Sequence, residues 1–358
     1  MYKKNFNKLK VVELANVLAG PAVGMFFAEL GAKVIKIENK LNGGDITRQW
    51  KLPEESNKLT ASAYYSSVNW GKKSVLLDLT SQKERQYIYQ LIKEADIVIS
   101  NYKMGDDKKL GMDYKTIKKI NPQIIYGHIS GYGENDSRTA FDILLQAETG
   151  FMSMNGTEES GPVKMPVALI DILAAHQMKE ALLIALINKI KTGKGCYTSV
   201  SLYDSAIASL ANQASNWLNV NHIPKRTGSL HPNIAPYGEC FLTKDRKLIV
   251  LAIGTDKQFQ NLCSVLGKYE ISKNKKFFNN QSRVKNRKEL KKLLQNRFSL
   301  FKHRKLIVDF RKNEVPAGTI KNIKEVFDSS LSRKLLLPQK NNHHNGLKTI
   351  KSIVFNLK

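Results

Sequence analysis

The sequence predicts a protein of the α/β class, with a large domain built on a parallel sheet covered by helices and a smaller α+β domain behind it. Three observations carry that expectation. Short apolar runs alternate with helical patterns through the N-terminal half, a long helical pattern follows Asp171, and the composition changes over residues 221 to 238, where Pro224, Pro232 and Pro236 mark an extended linker.

Taken in order, Leu9 to Leu14 reads as a strand. Pro21 to Leu30 reads as a helix with a proline near its start and Gly31 after its end, and Val34 to Glu38 as a second strand. This is a βαβ unit. Further strands are expected at Ser74 to Leu79, Ile97 to Ser100 and Ile124 to Ile129, with helices at Ser81 to Glu94 and Tyr114 to Ile120, which makes a Rossmann-like parallel sheet the economical architecture. A helix from Ile172 to Lys191 stops at Thr192-Gly193. A strand at Tyr197 to Ser201 and a helix from Tyr203 to Asn219 close a large domain of residues 1–220. After the linker 221–238, Cys240 to Leu242 and Leu248 to Ala252 suggest a hairpin, and basic helices fill 256–313. The small domain is thus expected at 239–315, with 316–358 returning to the large one.

A chain of 358 residues, 42% hydrophobic and 25% charged, can bury a large core. No apolar run approaches the roughly 18 residues that a membrane span needs, and the basic start leads into a strand without a secretory apolar region, so no membrane association and a cytoplasmic location are expected. Cys196, Cys240 and Cys263 fit neither a disulfide framework nor a CxxC site, and no two histidines have metal-ligand spacing, so no metal is expected. The formal net charge of +26 thickens over 268–312, where 16 basic side chains face 3 acidic ones. Such a patch could hold nucleic acid. However, 46 of the 57 basic residues are Lys in a chain also rich in Asn and Ile, which reads as a compositional bias on solvated faces, and nucleic acid is not the expected partner.

The most informative position is Asp171, a carboxylate between Ile170 and Ile172 in an apolar stretch. A buried acid needs a local hydrogen-bonding reason or a chemical one. As the N-cap of the following helix it would have the first; as a reactive carboxylate held ionised at a helix N-terminus it would have the second, and the two can coexist. The opening βαβ, with Gly20 and Gly24 at its turn and Glu38 at the end of its second strand, also invites a dinucleotide site. Yet Ala19-Gly20-Pro21-Ala22-Val23-Gly24 lacks the three-glycine fingerprint, and Pro21 removes a backbone N–H that such a loop offers to pyrophosphate.

Several segments together resemble the class III CoA-transferase family (CaiB/BaiF; formyl-CoA transferase and carnitine CoA-transferase belong to it). They are Val11-Val12-Glu13-Leu14-Ala15 with Leu18-Ala19-Gly20-Pro21, Leu30 to Glu38, Gly44-Asp45-Ile46-Thr47-Arg48, Asn69 to Ser74, Ala95 to Val98, Ile129 to Gly133, Phe141-Asp142 with Gln146-Ala147, and Asp171 with its helix. Their order and spacing over residues 9 to 265 make the resemblance specific, and a weaker match continues through Val315 to Gly318.

The resemblance implies that Asp171 is a nucleophile that attacks an acyl-CoA thioester, passes through a mixed anhydride and an aspartyl-CoA thioester, and hands CoA to a carboxylic acid. Coenzyme A then enters as part of the substrates, with no permanently bound cofactor. The resemblance also implies an interlocked homodimer. It places Val17, Leu18 and Ala19 at the pantetheine and active-site mouth, Asn39 with the basic pair Lys72 and Lys73 near the nucleotide, and Asn101 and Tyr102 at the family's Asn-aromatic pair. Lys109 stands where relatives often carry a phosphate-binding Arg. Arg138, beside Thr139, is the candidate partner for a substrate carboxylate. Gly228 is the one glycine of Thr227 to His231, aligned with a mobile glycine-rich loop of some relatives. Phe141 takes the position of the His base in the α-methylacyl-CoA racemase branch, which favours transfer over proton abstraction. A racemase-like enzyme and a basic nucleic-acid-binding protein are the alternatives.

Overall fold

The structure is a computed structural model, which describes residues 6–338 and 347–356. The chain divides into two units, one of residues 1–153, 164–224 and 333–358 and one of residues 154–163 and 225–332.

The first unit is built on six parallel strands: β1 (Lys10–Glu13), β2 (Lys33–Asn39), β3 (Lys73–Leu77), β4 (Ile97–Ser100), β5 (Ile125–Ser130) and β6 (Cys196–Ser201). Their order is β3-β2-β1-β4-β5-β6, the doubly wound arrangement. β4 reads Ile-Val-Ile-Ser and is buried throughout, as a central parallel strand covered on both faces must be. One face packs against the helices Ala19–Glu29 and Leu169–Thr192, through Val23, Phe27, Ala174, Met178 and Leu182; the other buries Ile88, Ile92, Met112 and Ile117 of the helical layer behind it. The apolar positions Ile170, Ala174, Ala175, Met178, Leu182 and Ala185 recur at helical spacing, which is why the long helix lies along the sheet.

Gly20 and Gly24 are packing residues. A Cβ on Gly20 would meet the Ala15 Cβ at 2.3 Å, and one on Gly24 the Glu13 carboxylate at 1.7 Å, so they bring the first helix down onto β1. Glu38 is equally unavailable to a ribose. Fully buried, it accepts from Arg48 Nε and Nη2 and from Tyr65 Oη, each at 2.7 Å, and from Ser74 Oγ. Those donors outweigh the cost of burial and hold its carboxyl down to about 2. The glycines and the acid of the dinucleotide pattern are thus spent on the fold.

The second unit carries a three-stranded antiparallel sheet, β7 (Tyr237–Leu242), β8 (Leu248–Ala252) and β9 (Ala317–Thr319), in the order β7-β8-β9. Helices Asp256–Val265, Arg287–Phe298 and His303–Lys312 cover it with Leu262, Leu294, Phe298 and Phe310. Its limits differ from the expected ones in three places, the first being residues 154–163, expected in the large domain and found in this unit. Residues 225–238 belong to this unit, because Arg283 Nε donates to Ala235 O at 2.7 Å and Arg287 Nη2 to His231 O at 2.7 Å. Residues 316–332 belong to it too, because β9 pairs with β8, so the chain rejoins the first unit at Arg333. There Trp70 Nε1 donates to Pro338 O, and Ser352 donates from both N and Oγ to Glu29 Oε1. The expected helix from Tyr203 to Asn219 is two helices, Leu202–Ala208 and Asn212–Val220, broken where Ala211 takes a positive φ of 47°.

Candidate active site

In a doubly wound sheet the crevice opens at the carboxyl ends of the strands where the order reverses, here between β1 and β4. A cleft of about 140 Å³ lies there. Its walls come from Asn16 to Ala19 after β1, Asn101 to Met104 after β4, His128 to Gly131 at the end of β5, the segment 138–142, and Asp171. The structure therefore brings together Val17, Leu18, Ala19, Asn101, Tyr102, Arg138, Phe141 and Asp171, residues drawn from four separate stretches of sequence.

Asp171 is not the cap of its helix. The helix begins two residues earlier, at Leu169, with Ala168 at the N-cap and no side-chain capping bond, which puts Asp171 in the first turn with its carboxylate free of hydrogen bonds among the described residues. Nor is it held ionised, as a helix N-terminus alone would have it. With 9% of its surface exposed, burial pushes its carboxyl up to about 7, and the nearby Asp142 adds to the rise. Asp142 in turn is fixed by accepting from Ile170 N at 2.7 Å and from Gln146 Nε2 at 2.5 Å, while Gln146 Oε1 accepts from Met165 N at 2.7 Å. The helix Asp142–Glu148 thereby clamps the segment that delivers Asp171.

A prediction follows from this pair. Asp142→Asn keeps an acceptor for Ile170 N and removes the charge, so the acid limb of the kcat/KM profile, where Asp171 ionises, is expected to move to lower pH. Initial rates from pH 5 to 9 check it; an unmoved limb would mean that burial alone sets the ionisation.

Several other candidate residues are engaged. Asn101 holds the loop after β1 by a reciprocal pair, accepting from Asn16 N at 2.9 Å and donating to Asn16 O at 2.8 Å. Arg138 is 60% exposed in its side chain, sits over the Tyr132 ring at 3.6 Å, and donates from Nε and Nη2 to Asp136 at 2.9 Å and 2.8 Å. Asn39 caps a short turn through Leu41 N and lines a second cleft of about 360 Å³ with Asp78, Thr80 and Leu110; Asn16 and Tyr102 line both clefts. Lys73 and Lys109 are exposed, Lys109 lying 3.2 Å from Asp106. Gly228 lies in the other unit, with a φ of 62° and its N–H on Gly156 O at 2.8 Å.

Lys72 is a correction. It is 2% exposed and its ammonium is committed to Glu13 at 2.7 Å, to Pro21 O at 2.8 Å and to Asn69 Oδ1 at 2.8 Å. Burial, and secondarily the neighbouring Lys36, draw its amine down to about 7 against the pull of Glu13. It braces the fold beneath the cleft and does not face a nucleotide. Sequence reasoning gave no role to Asp45, Asp142 or Tyr64. Burial, and then the carboxylates of Asp171, Asp142 and Asp45, push the Tyr64 phenol up to about 12. Asp45 and Asp142 stood inside quoted motifs, so the signal was present without a geometry to interpret it.

Known proteins bear on this cleft. The CoA-transferase family III model matches residues 6–357. The succinate–glutarate CoA-transferase of Agrobacterium fabrum is 37% identical over 91% of this chain and 82% of its own length, and the human succinyl-CoA:glutarate CoA-transferase 37% over 90% and 73%. A crystal structure of a CAIB/BAIF family protein from Brucella suis superposes with a TM-score of 0.86 at 37% identity, covering 97% of this chain and 91% of that one. With a family match spanning nearly the whole chain and a shared doubly wound fold, this chain belongs to CoA-transferase family III and is a CoA-transferase.

Proposed function

We propose that the enzyme moves CoA between carboxylic acids through Asp171. The observation that carries the proposal is a carboxylate buried at the switch-point cleft with no partner fixing its oxygens among the described residues. In the ionised form one oxygen attacks the thioester carbonyl of the donor; the C–S bond breaks, CoA leaves as thiolate, and a mixed anhydride forms. The thiolate then attacks the Asp171 carbonyl carbon, releasing the donor acid, which carries away an Asp171 oxygen, and leaving an aspartyl-CoA thioester. The acceptor carboxylate repeats the two steps in reverse order and restores Asp171. No net proton is consumed. A carboxylate with little water around it has less solvation to shed before attack.

On the same reading the pantetheine arm passes Val17, Leu18 and Ala19, and Asn101 keeps that turn in place. The nucleotide occupies the second cleft beside Asn39 and Tyr102, with Lys73 and Lys109 near its phosphates. Phe141 lines the acyl end, and Arg138 receives a substrate carboxylate, exchanging Asp136 for it. The named relatives support dicarboxylic acids as the substrate class. A screen of succinyl-CoA and related thioesters against a panel of mono- and dicarboxylic acids is expected to give the highest kcat/KM with a C4 or C5 dicarboxylate; turnover confined to monocarboxylates would refute that assignment. We further propose an interlocked homodimer, supported by the apolar outer face of the long helix, where Ile184, Ile187 and Ile190 are 60%, 52% and 83% exposed. Sedimentation equilibrium is expected to return twice the chain mass at micromolar concentration, and a monomer there would exclude it.

A further inference from the structure

We propose that Asp45 is a positioning residue for the active-site turn: its carboxylate holds Val17 in a backbone conformation that valine does not otherwise keep, and so fixes Asn16 to Ala19 at the mouth of the cleft. The inference rests on that cleft being the site of CoA transfer.

Val17 has a φ of 70°. For a β-branched side chain the left-handed region is an outlier, and such strain persists where the surroundings over-determine it. Here they do. Val17 N donates to Asp45 Oδ2 at 3.1 Å, with Oδ1 at 3.4 Å. Asp45 is 2% exposed and locked by Lys36 Nζ at 3.0 Å, Thr47 N at 3.1 Å and Thr47 Oγ1 at 2.8 Å, while its own N–H donates to Glu38 Oε2 at 2.7 Å.

The same ionic network grips the turn from both flanks. Lys36 Nζ donates to Ala15 O at 2.6 Å before it, and Lys72 Nζ to Pro21 O at 2.8 Å after it. Both lysines share Glu13. Two carboxyl groups and two lysine amines, none more than 2% exposed, interlock beneath one five-residue stretch. Buried ion pairs add little net stability compared with apolar packing. What this one supplies is backbone placement at a surface that substrate must touch, where a displacement of about 1 Å can cost about 100-fold in rate.

The test combines a mutant cycle with one structural readout, using succinyl-CoA and glutarate as the probe pair. Asp45→Ala is expected to lower kcat about 30-fold while KM moves less than about 3-fold. Val17→Gly alone is expected to cost about 3-fold, and the double variant to return to about the Val17→Gly level, because glycine adopts a positive φ without strain. Losses that multiply in the double variant, or an Asp45→Ala enzyme with wild-type kcat, overturn the proposal. If Asp45→Ala does not fold, Val17→Pro carries the test: its φ is fixed near −65° and it lacks the N–H, so kcat is expected to fall about 100-fold with the melting temperature retained, and wild-type turnover would be the contrary result. Independently of any substrate, crystals of Asp45→Ala should show Val17 at negative φ, and a positive φ there contradicts the proposal. Absence of an adduct on Asp171 in the wild type would count against the nucleophile alone, since the cycle is read on turnover and on Val17.

Discussion

Asp171→Ala is expected to lose CoA transfer by at least about 10⁴-fold while still binding acyl-CoA, because on the proposed mechanism it removes the group that forms the covalent intermediates and leaves the other walls of the cleft intact. Asp142 is the carboxylate best placed to substitute and cannot. Its oxygens are taken by Ile170 N and Gln146 Nε2, whereas Asp171 has no such bonds among the described residues. Steady-state transfer assays check the loss, and equilibrium binding of a non-reactive CoA thioether checks that the site survives. Activity within 10-fold of wild type, on the order of a modest positioning effect, would remove Asp171 from the chemistry.

Asp171→Asn is expected to stabilise the protein, and increasingly so as pH rises. In the unfolded chain the carboxyl ionises near 3.8; in the folded one it is held protonated to about 7. Between those values the native state binds a proton that the unfolded state has released, so wild-type stability falls with rising pH. The asparagine mimics the protonated acid and does not titrate. The two proteins should therefore be equally stable below pH 4, diverge from there to pH 7, and differ by roughly 2–4 kcal/mol above it. Urea melts at pH 4, 6 and 8 measure the difference. A constant difference across that range would show that burial does not perturb the group. Stability lost to a reactive group is a common trade at active sites.

How much of this was legible in the sequence depended on the kind of interaction. Strands such as Ile97–Ser100 and helices such as Tyr114–Ile120 declared themselves by periodicity, since each side chain's environment is set by its near neighbours. The long helix was legible too, but its start was not. Asp171 looks like a cap because Asp is a good one, while the true N-cap, Ala168, offers no side-chain acceptor, and helix entry is fixed by the Asp142 clamp from another element. β9 escaped notice because three residues, Ala-Gly-Thr, carry no strand signal until β8 lies beside them.

Among the residues that line the cleft, Asp171 and Val17 to Ala19 were named from sequence, whereas Lys72 is buried and paired with Glu13, and Asp45 was given no role. The reason is the same in both failures. Lys72 was placed by resemblance as half of a basic pair and Asp45 stood only as a member of a motif, yet Lys72 pairs with Glu13 of β1 and Asp45 with Lys36 of β2 in a buried network no local pattern encodes.

The most direct measurement is the intact mass of the enzyme, followed by peptide mapping, after mixing with succinyl-CoA in the absence of an acceptor. Covalent transfer through Asp171 predicts a species heavier by one CoA less one water, located on the peptide containing Asp171 and lost when glutarate is added. An unmodified enzyme that nonetheless turns over, or an adduct located on another residue, would contradict it.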